Sequence, residues 1–271
     1  MSVINENMIR GLFVNNIREL ISLQKNDIIN KACNFYLQGN YQEAEDHLLT
    51  SYPETAFNED ASALILMGHI QLSLEQYESA IEYFRQAIKC ENTIGDFIYD
   101  SIGITYLLKG EYHLAIQNFE EARNFNQNNF NYHYHIALCY EVMLCEKNDQ
   151  KVAVVNEDDD KNNTSDEKLA EIKQLREKVK EAYSDSLQIN QNSYPALLNL
   201  GTINANEGLT SIAEKFYKRA LIANGNDWRI YINLAYLTMI EKEYKIARDY
   251  FEKGISILGD KVEIHILIPY M

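Results

Sequence analysis

Proline, glycine and basic side chains are all scarce in this chain of 271 residues. With 3 Pro and 11 Gly, a turn-rich all-β architecture is excluded, and a 46% hydrophobic content is too high for a chain without a core. Only 25 Lys and Arg stand against 40 Asp and Glu, a formal net charge of −15. Nucleic-acid affinity comes mainly from Lys and Arg neutralising phosphates, so nucleic acid is a poor partner. The four cysteines, Cys33, Cys90, Cys139 and Cys145, show no CxxC spacing and are expected as reduced, mostly buried thiols without a disulfide framework. No apolar run approaches the ~20 residues of a membrane span. Residues 1–24 lack a cleavable apolar core, and Glu6 and Glu19 offset Arg10 and Arg18, against a transit peptide. A cytoplasmic protein is expected, with cilium and cytoskeleton as alternative settings.

Catalytic signatures are missing as well. The six histidines, His47, His69, His113, His133, His135 and His265, form no HExxH, and His133 and His135 point to different faces of one helix. Neither a phosphate-cradling GxGxxG nor a nucleophile elbow occurs, and the carboxylates suit a solvated helical surface better than an acid/base pair. The expectation is no enzyme, no cofactor and no metal.

What is present is a repeat. A small residue returns on helical stretches at Ala44, Ala80, Ala115, Ala213 and Ala247, at spacings of 36, 35, 98 and 34. The long spacing holds one more copy, marked by Val179, and an insertion, so the chain reads as six copies. Twelve residues before these markers stand Ala32, Gly68, Gly103, Gly201 and Ala235, with Ala137 in the interrupted copy. Four residues after them stand Leu48, Phe84, Phe119, Tyr183, Tyr217 and Phe251. Such a pattern predicts two antiparallel helices per copy, in which small residues let the helices approach and the large side chain fills the gap. Tight turns ending in Tyr41, Tyr77, Tyr112 and Tyr244 join the two helices.

These residues resemble the 34-residue tetratricopeptide (TPR) repeat. The resemblance covers residues 25–261 and implies an all-α, right-handed superhelical solenoid of about six helix-turn-helix repeats. The proline usual at the repeat junction is replaced by Asn92, Gln127 and Gly225 in several copies. Repeat arrays need capped ends. Residues 1–24, with Met8, Ile9, Leu12, Phe13, Ile17, Leu20 and Ile21 at helical spacing, are expected as an N-terminal capping helix, and residues 262–271 as a C-terminal tail. In the fourth copy an acidic insertion at about residues 147–167 is expected as a loop of 15 to 18 residues between two helices.

The resemblance also implies that the first helix of each copy lines an inner groove, the family's usual peptide-binding surface. On that face lie Ile65 and His69, Tyr134 and Leu138, Leu198, Ile232 and Tyr236, which are the candidate protein-binding residues. Asp100 is the one acid in the same column, and no Lys or Arg occurs there. The carboxylate clamp of TPR co-chaperones is therefore missing. Asn30, Asn199 and Asn233 match only part of the asparagine ladder known from the array of the O-GlcNAc transferase. An apolar groove suits an apolar helix or extended segment of a protein partner. The competing reading is that these residues pack against neighbouring first helices or are covered by the chain's own N-terminal helix. The expected function is a non-enzymatic adaptor or scaffold subunit of a larger complex, ciliary and cell-cycle machinery being two settings. A TPR co-chaperone and a regulatory subunit of an enzyme complex are the alternatives.

Overall fold

A computed structural model describes residues 26–90, 95–154 and 162–259. The expected capping helix and C-terminal tail lie outside the described residues, as does the acidic tip of the insertion. The described elements are helices: α1 (Asp27–Leu37), α2 (Tyr41–Ser51), the single turn α3 (Glu54–Phe57), α4 (Ala61–Ser73), α5 (Tyr77–Lys89), α6 (Gly95–Lys109), α7 (Tyr112–Phe125), α8 (Phe130–Val154), α9 (Asn162–Ile189), α10 (Tyr194–Asn206), α11 (Thr210–Ala223), α12 (Trp228–Ile240) and α13 (Tyr244–Leu258). They form an all-α helical-repeat solenoid, as the repeat pattern implies.

Local chemistry sets the helix boundaries. The Asn26 side chain accepts the Ile28 amide at 3.0 Å, Asp60 accepts those of Ser62 and Ala63 at 2.9 and 3.2 Å, and Asp227 accepts that of Arg229 at 3.0 Å. Each satisfies donors that a helix start leaves orphaned. Between the two helices of a copy, Gly39, Glu75, Gly110, Gly208 and Lys242 adopt positive φ. There the following amide reaches back five residues, as in Asn40 to Phe35, Gln76 to Gln71 and Glu243 to Thr238, at 2.8–2.9 Å. That closes a Schellman-type cap and reverses the chain in three residues. Glycine fits it freely, whereas Glu75 and Lys242 adopt it at a cost of about 1 kcal/mol.

The chain divides into two compact units, residues 1–179 and 180–271, with α9 contributing to both. In the first unit α1, α4, α6 and α8 are first helices and each meets the next, while α2, α5 and α7 pack between them. In the second unit α10 pairs with α11, α12 with α13, and α11 packs on α12. The marker residues Ala44, Ala80, Ala115, Val179, Ala213 and Ala247 are buried throughout. The small-against-large pairing is as predicted. A Cβ built on Gly68 would lie 2.5 Å from the Phe84 ring, one on Gly103 2.6 Å from Phe119, and one on Gly201 2.4 Å from Tyr217.

The insertion differs from its expectation. Helix α8 continues to Val154 and α9 begins at Asn162, so only residues 155–161 separate two helices where a loop of 15 to 18 residues was expected. Packing explains the extension within the first unit. Leu144, Ile172 and Leu175 are buried, Lys147 pairs with Glu171 at 2.5 Å, and the Lys178 ammonium sits 5.3 Å from the centre of the Tyr140 ring. Leu169, part of the same spacing, is exposed instead.

Candidate protein-binding face

Within each unit the predicted residues lie on the first helices, and most of them are buried. In the first unit Ile65, His69, Tyr134 and Leu138 are interior, and in the second so are Leu198 and Ile232. Tyr236 differs, with 43% of its surface exposed, and Met239 and Ile240 beyond it on α12 are exposed too. The asparagines of the partial ladder in the second unit are engaged internally. Asn199 donates to the Tyr183 hydroxyl at 2.6 Å and Asn233 to the Thr202 hydroxyl at 3.3 Å.

Electrostatically this face is an interior. Burial alone pushes the His69 imidazole down to about 3 and the Cys33 thiol up to about 12. His69 packs edge-on against Phe84, ring centres 5.1 Å apart, and tilts against Phe97 at 5.8 Å. This has a pH consequence. The unfolded chain takes up a proton at an ordinary value of 6.5 that folded His69 refuses down to about 3, so its stabilising share is complete above 6.5 and is lost as pH falls below it. Between pH 6.5 and 5 the loss is about 2 kcal/mol. Urea melts at both pH values should show a flatter acid slope for His69→Leu than for the native chain, and parallel slopes would refute the assignment.

The column's one acid is not a groove residue at all. Asp100 on α6 receives His135 of α8, Nδ1 to Oδ1 at 2.7 Å, with both side chains buried. The pair joins two consecutive first helices. Ser101 and Thr105, the nearby hydroxyls of α6, donate to the helix carbonyls of Phe97 and Ser101 at 3.1 and 2.8 Å. The dyad is therefore a structural tie between copies, with those hydroxyls committed to the backbone. Sequence reasoning treated Asp100 and His135 separately, although their spacing of 35 residues, one repeat, was the signal that they face each other.

Among the described residues no group of His, Cys, Asp and Glu could hold a metal ion, and no helix is long and apolar enough to cross a membrane. Against known proteins, residues 61–92 match the family model described as tetratricopeptide repeat. No curated protein matches the chain. Among solved structures, PilF of Pseudomonas aeruginosa superposes with a TM-score of 0.58 at 15% identity, covering 87% of this chain and 90% of its own. A thermophilic TPR protein of Thermus thermophilus gives 0.53 at 18% identity, over 78% of this chain and 97% of its own. A chain of the APC/C hetero-tetramer Cut9–Hcn1 gives 0.55 at 14% identity, over 96% of this chain and 45% of its own. Residues 61–92 are a tetratricopeptide repeat, and the same repeat period and small-against-aromatic interlock, at Gly68, Gly103 and Gly201, build the rest of a solenoid of the tetratricopeptide-repeat fold.

Proposed function

We propose that this chain is a non-catalytic, cytoplasmic adaptor or scaffold subunit that holds an apolar helix or extended segment of a partner protein on its first-helix face. TPR folds are protein-interaction scaffolds in general, and a match to one chain of a hetero-tetramer fits a subunit role. The observation that carries the reading is the strip on α12, where Tyr236, Met239 and Ile240 stay exposed one turn beyond buried Ile232. Leu198 and Ile232, on first helices of the same unit, are buried. Ile65, His69, Tyr134 and Leu138 hold the same column in the first unit. Three neighbouring apolar side chains left open at a helix end offer area worth about 25 cal/mol per Å² to a guest that covers them.

Capture of partners from the source cells by the immobilised chain, quantified by mass spectrometry, tests this. Replacing Tyr236 and Met239 together with Glu should reduce the captured partners about tenfold, because an unpaired carboxylate in an apolar contact is costly, while circular dichroism stays unchanged. The same partners in undiminished amount would refute the face. Leu138→Glu and Leu198→Glu are unsuitable for this purpose. Those side chains are 1% and 3% exposed, so a carboxylate there enters the interior and costs the fold itself.

A further inference from the structure

The second helices of the first two copies enclose a groove that the first-helix reading does not use. It lies between α2 and α5, holds about 590 Å³, and includes Leu49, Phe57 and Tyr83 in its lining with Glu78 and Glu82. The aromatic part is built rather than incidental. Buried Phe57 meets Tyr83 edge-on with ring centres 6.3 Å apart and Tyr52 at 5.9 Å. Tyr52 is held by hydrogen bonds to Asn26 and Asp60, the caps of α1 and α4. Leu49 leaves 56% of its surface exposed at this groove.

The charge here is mainly negative, with Arg85 of α5 turned to the Tyr106 hydroxyl at 3.0 Å. From residue 32 to residue 84 the sequence holds nine Asp and Glu and no Lys or Arg. Glu78 and Glu82 stand one turn apart on α5, on one face. Glu45 of α2 is close enough to Tyr83 that burial first, and that carboxylate second, push the Tyr83 hydroxyl upward. Lys109 reaches Glu78 at 3.1 Å while also holding Glu111 at 2.7 Å, and Glu82 accepts the neutral amide of Gln86, at 3.2 Å. A cationic head can therefore pair at the rim, and an aliphatic stem can lie on Leu49 and the Tyr83 ring.

We propose that this groove docks an arginine-bearing segment of a partner protein, its aliphatic side chains on Leu49 and Tyr83 and its guanidinium groups on Glu78 and Glu82. Arginine fits better than lysine because its planar fork pairs carboxylates in bidentate fashion and stacks on aromatic rings. Polyanions such as nucleic acid are repelled by the same carboxylates. The groove belongs to the second helices of the first unit and Tyr236 to a first helix of the second, so the two readings can fail separately.

Fluorescence anisotropy with a labelled peptide Gly-Arg-Leu-Arg-Arg-Leu-Gly and the full chain tests the assignment. The peptide should bind in a salt-dependent way. Glu78→Lys with Glu82→Lys should weaken it about tenfold, and Leu49→Ser about fivefold. Glu121→Lys with Glu181→Lys, an equal change of charge at exposed positions elsewhere, should leave it within about twofold. If the distant pair weakens binding as much as the groove pair, the attraction is diffuse and the site is refuted. An unaffected Leu49→Ser refutes the apolar half of the contact. Concentration-dependent dimerisation in sedimentation, abolished by the groove variants, would assign the groove to a second copy of the chain and overturn the proposal. Each variant is checked by circular dichroism, and should the Glu78 change cost the fold, Glu82→Gln and Leu49→Ser carry the same test.

Discussion

Gly103→Ala should destabilise the chain by about 2 kcal/mol, although alanine is the better helix former. The propensity gain is about 1 kcal/mol. Against it, the new Cβ falls 2.6 Å from one Phe119 ring carbon and 2.7 Å from another, and the ring is fully buried, so it has nowhere to swing. Overpacking this tight falls at the upper end of the usual range, about 3 kcal/mol, and relief requires the helices to part. Gly103→Val removes the propensity gain and adds bulk, with about 4 kcal/mol expected. Because neighbouring copies in a solenoid stabilise one another, spreading α6 from α7 weakens the copies on either side as well. Thermal melts by circular dichroism measure the loss. The decisive comparison is Phe119→Leu, which alone should destabilise through a cavity, yet in the Gly103→Ala background should restore part of what alanine lost. If the two changes add without coupling, the interlock is not what the ring contact indicates.

Asp100→Leu should cost about 2 kcal/mol, the second large effect. Removing one partner of a buried pair leaves the other with its desolvation unreturned, and here His135 would remain in the interior beside Phe119, ring centres 5.1 Å apart. The Asp100→Leu, His135→Leu double variant should recover most of the loss, since a buried pair is often no more stabilising than apolar groups of similar volume. Urea titrations of the two single variants and the double one close the cycle. A double variant as unstable as the sum of the singles would show that the tie contributes nothing as a pair. Recovery of stability together with a change in partner capture would instead give the pair a role in setting the angle between consecutive first helices.

Most of the architecture could be read from residue spacing because a repeat writes the same packing rule several times. The interlock of Gly68 with Phe84, Gly103 with Phe119 and Gly201 with Tyr217 is visible as a small residue followed by an aromatic at a constant interval, and the hairpin turns recur at a constant place. Both are contacts between helices adjacent in the chain, whose geometry is set by 3.6-residue periodicity and a three-residue turn. The length of α8 and α9 was harder to see. Polar, acidic composition around residues 147–167 suggested a loop, yet Leu144, Ile172 and Leu175 are buried and the Lys147–Glu171 pair joins the two helices, so tertiary packing outweighs their modest helix propensity.

The candidate site was legible in position and not in exposure. On a helical wheel Leu138, Leu198 and Tyr236 look alike, since each occupies the same column of a first helix. Tertiary packing alone decides that the first two are interior and the third open, because burial depends on which helices lie alongside and not on the residue's own neighbours in sequence. The meeting of Asp100 with His135, and the lining of one groove by Leu49 and Tyr83 from two second helices, are of the same kind. Each joins side chains 34 or 35 residues apart, and only the stacking of one copy on the next brings them together. The sequence by itself determined the repeat, the helix pairs and the small-against-large interlock, which are local rules. The tertiary structure decided which faces close on themselves and which remain for a partner, because solvent exposure is a property of the stack.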